Sequence, residues 1–226
     1  MIAAIAACAG IASAQHGMVT YLGQEFTGGG NNGGVFNMRV DSRTAAGEAA
    51  GLYSPGTVWR TFCVELTENM PGAGSSRNAQ VNDRAIGGGT FDSDGIPGNG
   101  GDLLSVQTAY LFSQFHQGLS GDFADDFTTY DSQRAMQLAI WHFEEGIDVS
   151  TDQVASAGQR ALAAIYIAAA NLSGWTSIGN VRVLNYGPAT AYGNQDVLII
   201  IPLPQAGALA GLGLAGLAVR RRRAAL

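Results

Sequence analysis

Apolar and polar positions along this chain change period twice. From about Gly17 to Leu66, three short runs (Met18 to Leu22, Val35 to Val40, Val58 to Leu66) carry β-branched or aromatic residues between Gly and Asn clusters, which predicts strands. Along the third run, period two places Val58, Phe62, Val64 and Leu66 on one face and Trp59, Thr61, Cys63 and Glu65 on the other. Residues 71–101 are mostly Gly, Asn, Asp and Ser and predict a long surface loop. Helical spacing begins near Asp102, where Leu103, Leu104, Ala109, Tyr110, Phe112 and Phe115 recur up to Gln117. Asp131 or Ser132 can cap a second helix that runs to Glu145 and stops at Gly146; Thr151 or Asp152 can cap a third, through Ala161 to Ala170, that stops at Ser173-Gly174. Val181 to Asn185 and Gln195 to Ile201 read as strands again. The expectation is one α+β domain with strands at both ends and a three-helix region inserted between them.

Composition narrows the function. Hydrophobic residues are 46% of the 226, enough for a core, while charged residues are only 13% against roughly 25% in an average soluble protein. The chain has no lysine, so all 12 basic residues are Arg, and four of them stand together: Arg220, Arg221, Arg222 and Arg223. The rest carries 8 Arg against 18 Asp and Glu, a balance that phosphates would repel, which argues against nucleic acid as a partner. Two cysteines, Cys8 and Cys63, are too few for a disulfide scaffold or a Cys-rich zinc site. No Ser-His-Asp or Cys-His-Asn set stands out, and no cofactor is implied, so the chain does not read as an enzyme. Gly28 to Gly34 lacks the spacing and the following Lys of a phosphate loop. Asp92, Asp94, Asn99 and Asp102 sketch a calcium loop, but Leu103 stands where an EF-hand needs Glu; the run reads as a solvated turn, with calcium as the alternative.

The two ends look like addresses. Residues 1–14 are small and apolar and finish in Ala12-Ser13-Ala14, which suits signal peptidase cleavage before Gln15, although a basic n-region is missing. A buried N-terminal helix is the plainer alternative. Cleavage would remove Cys8 and leave Cys63 as a lone thiol in an exported protein. At the other end Pro202-Leu203-Pro204 precedes the apolar stretch Ala206 to Val219, and the cluster Arg220-Arg221-Arg222-Arg223 follows it. Fourteen helical residues span roughly 21 Å, short of a ~30 Å hydrocarbon core, and the arginines would stay cytoplasmic. This three-part order resembles the PEP-CTERM sorting signal, with Pro-Leu-Pro in place of Pro-Glu-Pro. The resemblance implies an exosortase-type transpeptidase that removes the tail after a transient stay in the inner membrane and delivers the protein to the cell envelope or extracellular matrix. A plain tail anchor is the alternative. The expected organisation is residues 1–14 signal peptide, 15–200 extracellular domain and 201–226 sorting signal.

Two local patterns inside the body carry chemistry. Thr61-Phe62-Cys63-Val64-Glu65 lies on the third strand, and Gln137-Leu138-Ala139-Ile140-Trp141 lies on a helix that is apolar nearly all round. Gln137 therefore faces packing partners, with Gln133 and Trp141 one turn away on either side. An unpaired buried amide costs about 1–3 kcal/mol, and condensing it with a thiol removes its NH2 group. Aromatic walls would keep water from such a bond. The two patterns together resemble the bacterial thioester domains of surface adhesins, which join an aromatic-Cys motif to a Gln-x-Ala-Ile-Trp motif. Met136 stands where many members have Thr. The resemblance implies that Cys63 and Gln137 form an internal thioester able to acylate amine or hydroxyl groups on a surface or matrix polymer. Glu65 could orient the thiol or be a structural acid, His142 could be a base or a surface imidazole, and Trp141 belongs to the core. The other reading of the pair is an inert buried thiol beside a hydrogen-bonded glutamine. It would make the chain a non-covalent structural component of the extracellular polysaccharide matrix, sorted by the same tail.

Overall fold

The computed structural model describes residues 15–26, 33–86, 101–123, 125–187 and 195–202. The expected signal peptide over residues 1–14 lies outside the described residues. So do most of the expected sorting signal, namely Leu203, Pro204, Arg220, Arg221, Arg222 and Arg223, and three of the four residues of the calcium option, Asp92, Asp94 and Asn99. Among the described residues, no helix is long and apolar enough to cross a membrane.

The fold is α+β: a curled antiparallel sheet with helices between its strands. Its strands are β1 (Gly17–Gln24), β2 (Phe36–Arg43), β3 (Val58–Thr61), β4 (Ser76–Asn82), β5 (Val181–Tyr186) and β6 (Val197–Ile200), in the order β3-β2-β1-β4-β5-β6. Strand β2 shows why: Phe36, Met38 and Val40 are buried, and the polar residues between them are more exposed. Two register shifts in β1, at Met18/Val19 and Tyr21/Gly23, bend the sheet, because an unpaired residue in a ladder increases local twist. The curl returns β6 to the chain that leaves β3. Cys63 bridges Val197 there, Val64 N–H donates to the Asp196 carbonyl at 3.0 Å, and Leu198 N–H donates to the Phe62 carbonyl at 3.1 Å.

Four α-helices are present among the described residues: α1 (Ala45–Ala49), α2 (Val106–Gln117), α3 (Tyr130–Glu145) and α4 (Ala157–Leu172). Helix α3 begins on Thr129, whose side chain accepts from Ser132 N–H, and ends on Gly146 in the left-handed region at φ 65°, a conformation that Gly adopts without strain. Twelve of its sixteen residues are buried, which makes it the central helix. Helix α4 packs on α3 through one stripe, Gln159, Ala163, Tyr166 and Ala170, and leaves Ile165 and Leu172 exposed.

Four expectations are corrected. Helix α3 is capped by Thr129 and not by Asp131 or Ser132, which lie inside its first turn. Residues 71–101 are not loop throughout: Ser76–Asn82 form β4, which pairs with β1 and β5 inside the sheet. Only Ala79 and Val81 of that strand are buried, too few to declare a strand among so many polar residues; its two neighbours define it. The third helix is not capped by Thr151 or Asp152. Thr151 closes a separate 3-10 turn, and α4 starts on Ser156, which forms a reciprocal capping box with Gln159. The third strand also loses its alternation beyond Thr61. Phe62, Cys63, Val64 and Glu65 are all buried, because sheet and helices close on both sides, and Leu66 is exposed.

Candidate functional site

The site is built where β2 stops following β3. Their ladder ends at Phe36↔Thr61. In an antiparallel ladder the N–H and C=O of alternate residues point to the same side, so those of Cys63 point where β2 would continue. The chain leaves that line at Gly33 and Gly34, with φ +74° and +130°. The side-chain amide of Gln137 takes the open place. Gln137 Nε2 donates to the Cys63 carbonyl at 2.8 Å, and Cys63 N–H donates to Gln137 Oε1 at 3.2 Å. The same oxygen lies 3.1 Å from Cys63 Sγ. The amide is therefore held flat against the cysteine backbone with its carbonyl beside the thiol. Both side chains are buried.

Gly33 lies over this pair. A Cβ there would stand 2.5 Å from Gln137 Cγ and 2.7 Å from a carbon of the Trp141 ring. A groove of about 570 Å³ opens beside it, lined by Cys63, Trp141, Tyr21, Phe36, Glu68 and Gln195 among others. Three of the lining residues are aromatic, Tyr21, Phe36 and Trp141, with Tyr21 and Phe36 in edge contact at 5.6 Å.

Electrostatics keep the thiol protonated. Burial pushes the Cys63 pKa well above its ordinary value, and Glu65 adds to the rise; its own backbone N–H, Arg134 and the Trp141 indole oppose it. Arg134 is buried, reaches Asp152 at 3.4 Å, and stacks with its guanidinium carbon 5.2 Å from the Trp141 ring centre. Burial also raises Tyr21 to about 12, with Cys63 as a further cause.

Glu65 makes no hydrogen bond to the thiol. It is buried beside Glu68 and Asp196, and burial followed by the Asp196 charge drives its pKa far upward, so it holds a proton. Asp196 receives Ile86 N–H at 2.6 Å, Asn185 Nδ2 at 2.6 Å and Tyr186 N–H at 3.1 Å. This cluster ties β6 to its neighbours at the seam. His142 stands apart from the site. Its Nδ1 is 2.8 Å from the Ile147 carbonyl, just beyond the C-terminal end of α3. The structure thus brings Cys63, Gln137 and Trp141 together, puts Glu65 behind the thiol in a structural cluster, and leaves His142 at a helix end. Sequence reasoning passed over Gly33 and Arg134. Gly33 sits in a glycine run whose members look alike, and Arg134 looks like any helix-surface charge. Among the described residues, no three His, Cys, Asp or Glu gather as a metal site.

No protein-family model and no curated protein matches the chain. Among solved structures it is similar to the N-terminal thioester domain of a surface protein from Clostridium perfringens, at 15% identity and TM-score 0.41, covering 72% of this chain and 86% of that one. It is also similar to the N-terminal domain of the Streptococcus pyogenes pilus tip adhesin Cpa, at 12% identity and TM-score 0.47, covering 84% and 97%. The geometry around Cys63 and Gln137, and not these likenesses, carries the functional reading.

Proposed function

We propose that the protein is an exported cell-surface adhesin that attaches covalently through an internal thioester. Cys63 Sγ attacks the side-chain carbonyl carbon of Gln137, the C–N bond breaks, and Nε2 leaves as ammonia with the thiol proton. An amine or hydroxyl on a surface or matrix polymer later attacks the same carbon. The C–S bond then breaks, the nucleophile's proton ends on sulfur, and the polymer is left acylated by Gln137. Each molecule reacts once, so this is bond formation without turnover. The observation that supports the reading is the pair of hydrogen bonds that hold the Gln137 amide against Cys63, with the carbonyl oxygen 3.1 Å from Sγ. Proximity of this kind spares the two groups the cost of an encounter. Export by signal peptidase and release by an exosortase-type enzyme acting at Pro202-Leu203-Pro204 complete the proposal, with Arg220, Arg221, Arg222 and Arg223 holding the precursor's tail on the cytoplasmic side.

The test is intact mass. Purified wild-type protein should weigh one ammonia less than its processed sequence, and Cys63→Ala and Gln137→Ala should each show their full sequence mass. Methylamine should add to Gln137 and free the Cys63 thiol in equal amounts. Full sequence mass in fresh wild-type protein, with a titratable thiol, would leave the non-covalent matrix component as the better reading.

A further inference from the structure

Trp141 is buried, and its indole N–H meets no partner at full hydrogen-bond geometry; the group it acts on is the Cys63 thiol, whose charged form it favours. A buried donor left short of a full hydrogen bond is uncommon, since leaving it so costs free energy. The ring is fixed in place. It lies one helical turn after Gln137, it lies under Gly33, and Arg134 stacks on its face at 5.2 Å. A cation over an indole face draws electron density from the ring and strengthens its N–H as a donor. The ring also lines the groove with Cys63.

We propose that Trp141 is a catalytic residue of the thioester chemistry, its indole N–H serving as the donor for negative charge that develops on Cys63 sulfur. This rests on the thioester reading above. In the attack on Gln137 the thiol gives up its proton, and in acyl transfer to an amine the C–S bond breaks and its electron pair goes to sulfur. Both steps put charge on an atom shut away from water. The burial that raises the Cys63 pKa would make that sulfur a poor leaving group; the indole is among the groups that work against the rise. A donor that engages the charged sulfur more strongly than the neutral thiol favours the transition state over the ground state. Placing the N–H here also accounts for the cost of leaving it short of a full hydrogen bond, which packing alone does not.

The test replaces the N–H and keeps the shape. Benzothienylalanine at position 141, with sulfur in place of N–H, is compared with Trp141→Phe, with 5-fluorotryptophan at 141 and with wild type, all as full-length protein. Intact mass follows the loss of ammonia, and methylamine adducts follow acyl transfer. Wild-type mass comes first: no ammonia loss there overturns the thioester reading itself. Given a wild-type thioester, the benzothienylalanine protein should form it or transfer it about ten- to a hundredfold more slowly, at an unchanged thermal midpoint. The 5-fluorotryptophan protein, a stronger donor of the same shape, should react at least as fast as wild type. A benzothienylalanine protein that forms and transfers the thioester at wild-type rates overturns the role of Trp141 and leaves the thioester standing. Trp141→Phe should follow benzothienylalanine; if it fails to fold, the isosteric replacement alone decides.

Discussion

At the scale of single residues, the site depends on small groups that make room for large ones. Gly33 is the clearest case. Its φ of +74° suits glycine, and a methyl group there would press on Gln137 and Trp141. Gly33→Ala should destabilise the protein by about 1–3 kcal/mol through strain and overpacking, and should slow ammonia loss by displacing the Gln137 amide. Denaturant titration and intact mass measure the two effects separately. Glu65 yields a prediction with a sign. Its pKa is raised in the folded protein by burial, by Asp196 and by Glu68, above an ordinary value of 4.5. The stability it contributes is therefore complete below about pH 4.5 and is lost as pH rises towards its folded pKa. Glu65→Gln, a neutral group of the same shape, should flatten the fall of the thermal midpoint between about pH 5 and 9. A wild-type midpoint that rises across this range would contradict a protonated Glu65.

At the scale of elements, α3 carries Gln137 and Trp141 and α4 buttresses it. Helix α3 brings Gln133, Gln137 and Trp141 to one side by their spacing of four. Gln133 Nε2 is tied to the Glu25 carboxylate and to the Phe127 carbonyl, the latter at 2.9 Å, which fixes the helix against the end of β1. Helix α4 contributes none of the residues of the site. Its capping box makes a clean control: Ser156→Ala removes the acceptor for Gln159 N–H and should cost about 1 kcal/mol in denaturant titration. Ammonia loss should stay as in wild type. A loss of the thioester in this variant would show that the site responds to general stability more than to its own geometry.

At the scale of the whole molecule, the sheet closes on itself at Cys63, the residue to which the proposal gives the reactive thiol. The Cys63↔Val197 bridge and the bonds on either side of it hold the thiol between β6 and α3. The seam is held further by Ile201, whose N–H donates to the Asn180 carbonyl at 2.9 Å and whose side chain packs beside Gly51. Ile201 therefore belongs to the folded body, one residue beyond the boundary expected from sequence. Processing of the tail should leave it in place. C-terminal peptide sequencing of surface-extracted protein should end after Ile201 and lack Arg220, Arg221, Arg222 and Arg223. Recovery of the tail through Leu226 would mean a membrane anchor.

The sequence by itself determined the α+β class, the helix that carries Gln137 and its stop at Gly146. Those features rest on local periodicity and on backbone conformations that one residue type favours. It also singled out Cys63 and Gln137, through the resemblance of their two local motifs to those of thioester domains. Only the tertiary structure decided that β4 is a strand, since Ser76–Asn82 has little apolar pattern and owes its conformation to β1 and β5 on either side. The same holds for the site's interior. Whether Glu65 is a thiol partner or a structural acid depends on Glu68 and Asp196, the latter 131 residues away in sequence. The open place beside Cys63 exists because β2 diverges at Gly33, and an amide fills it because α3 crosses there. Such facts arise from long-range packing, which no window of the chain contains.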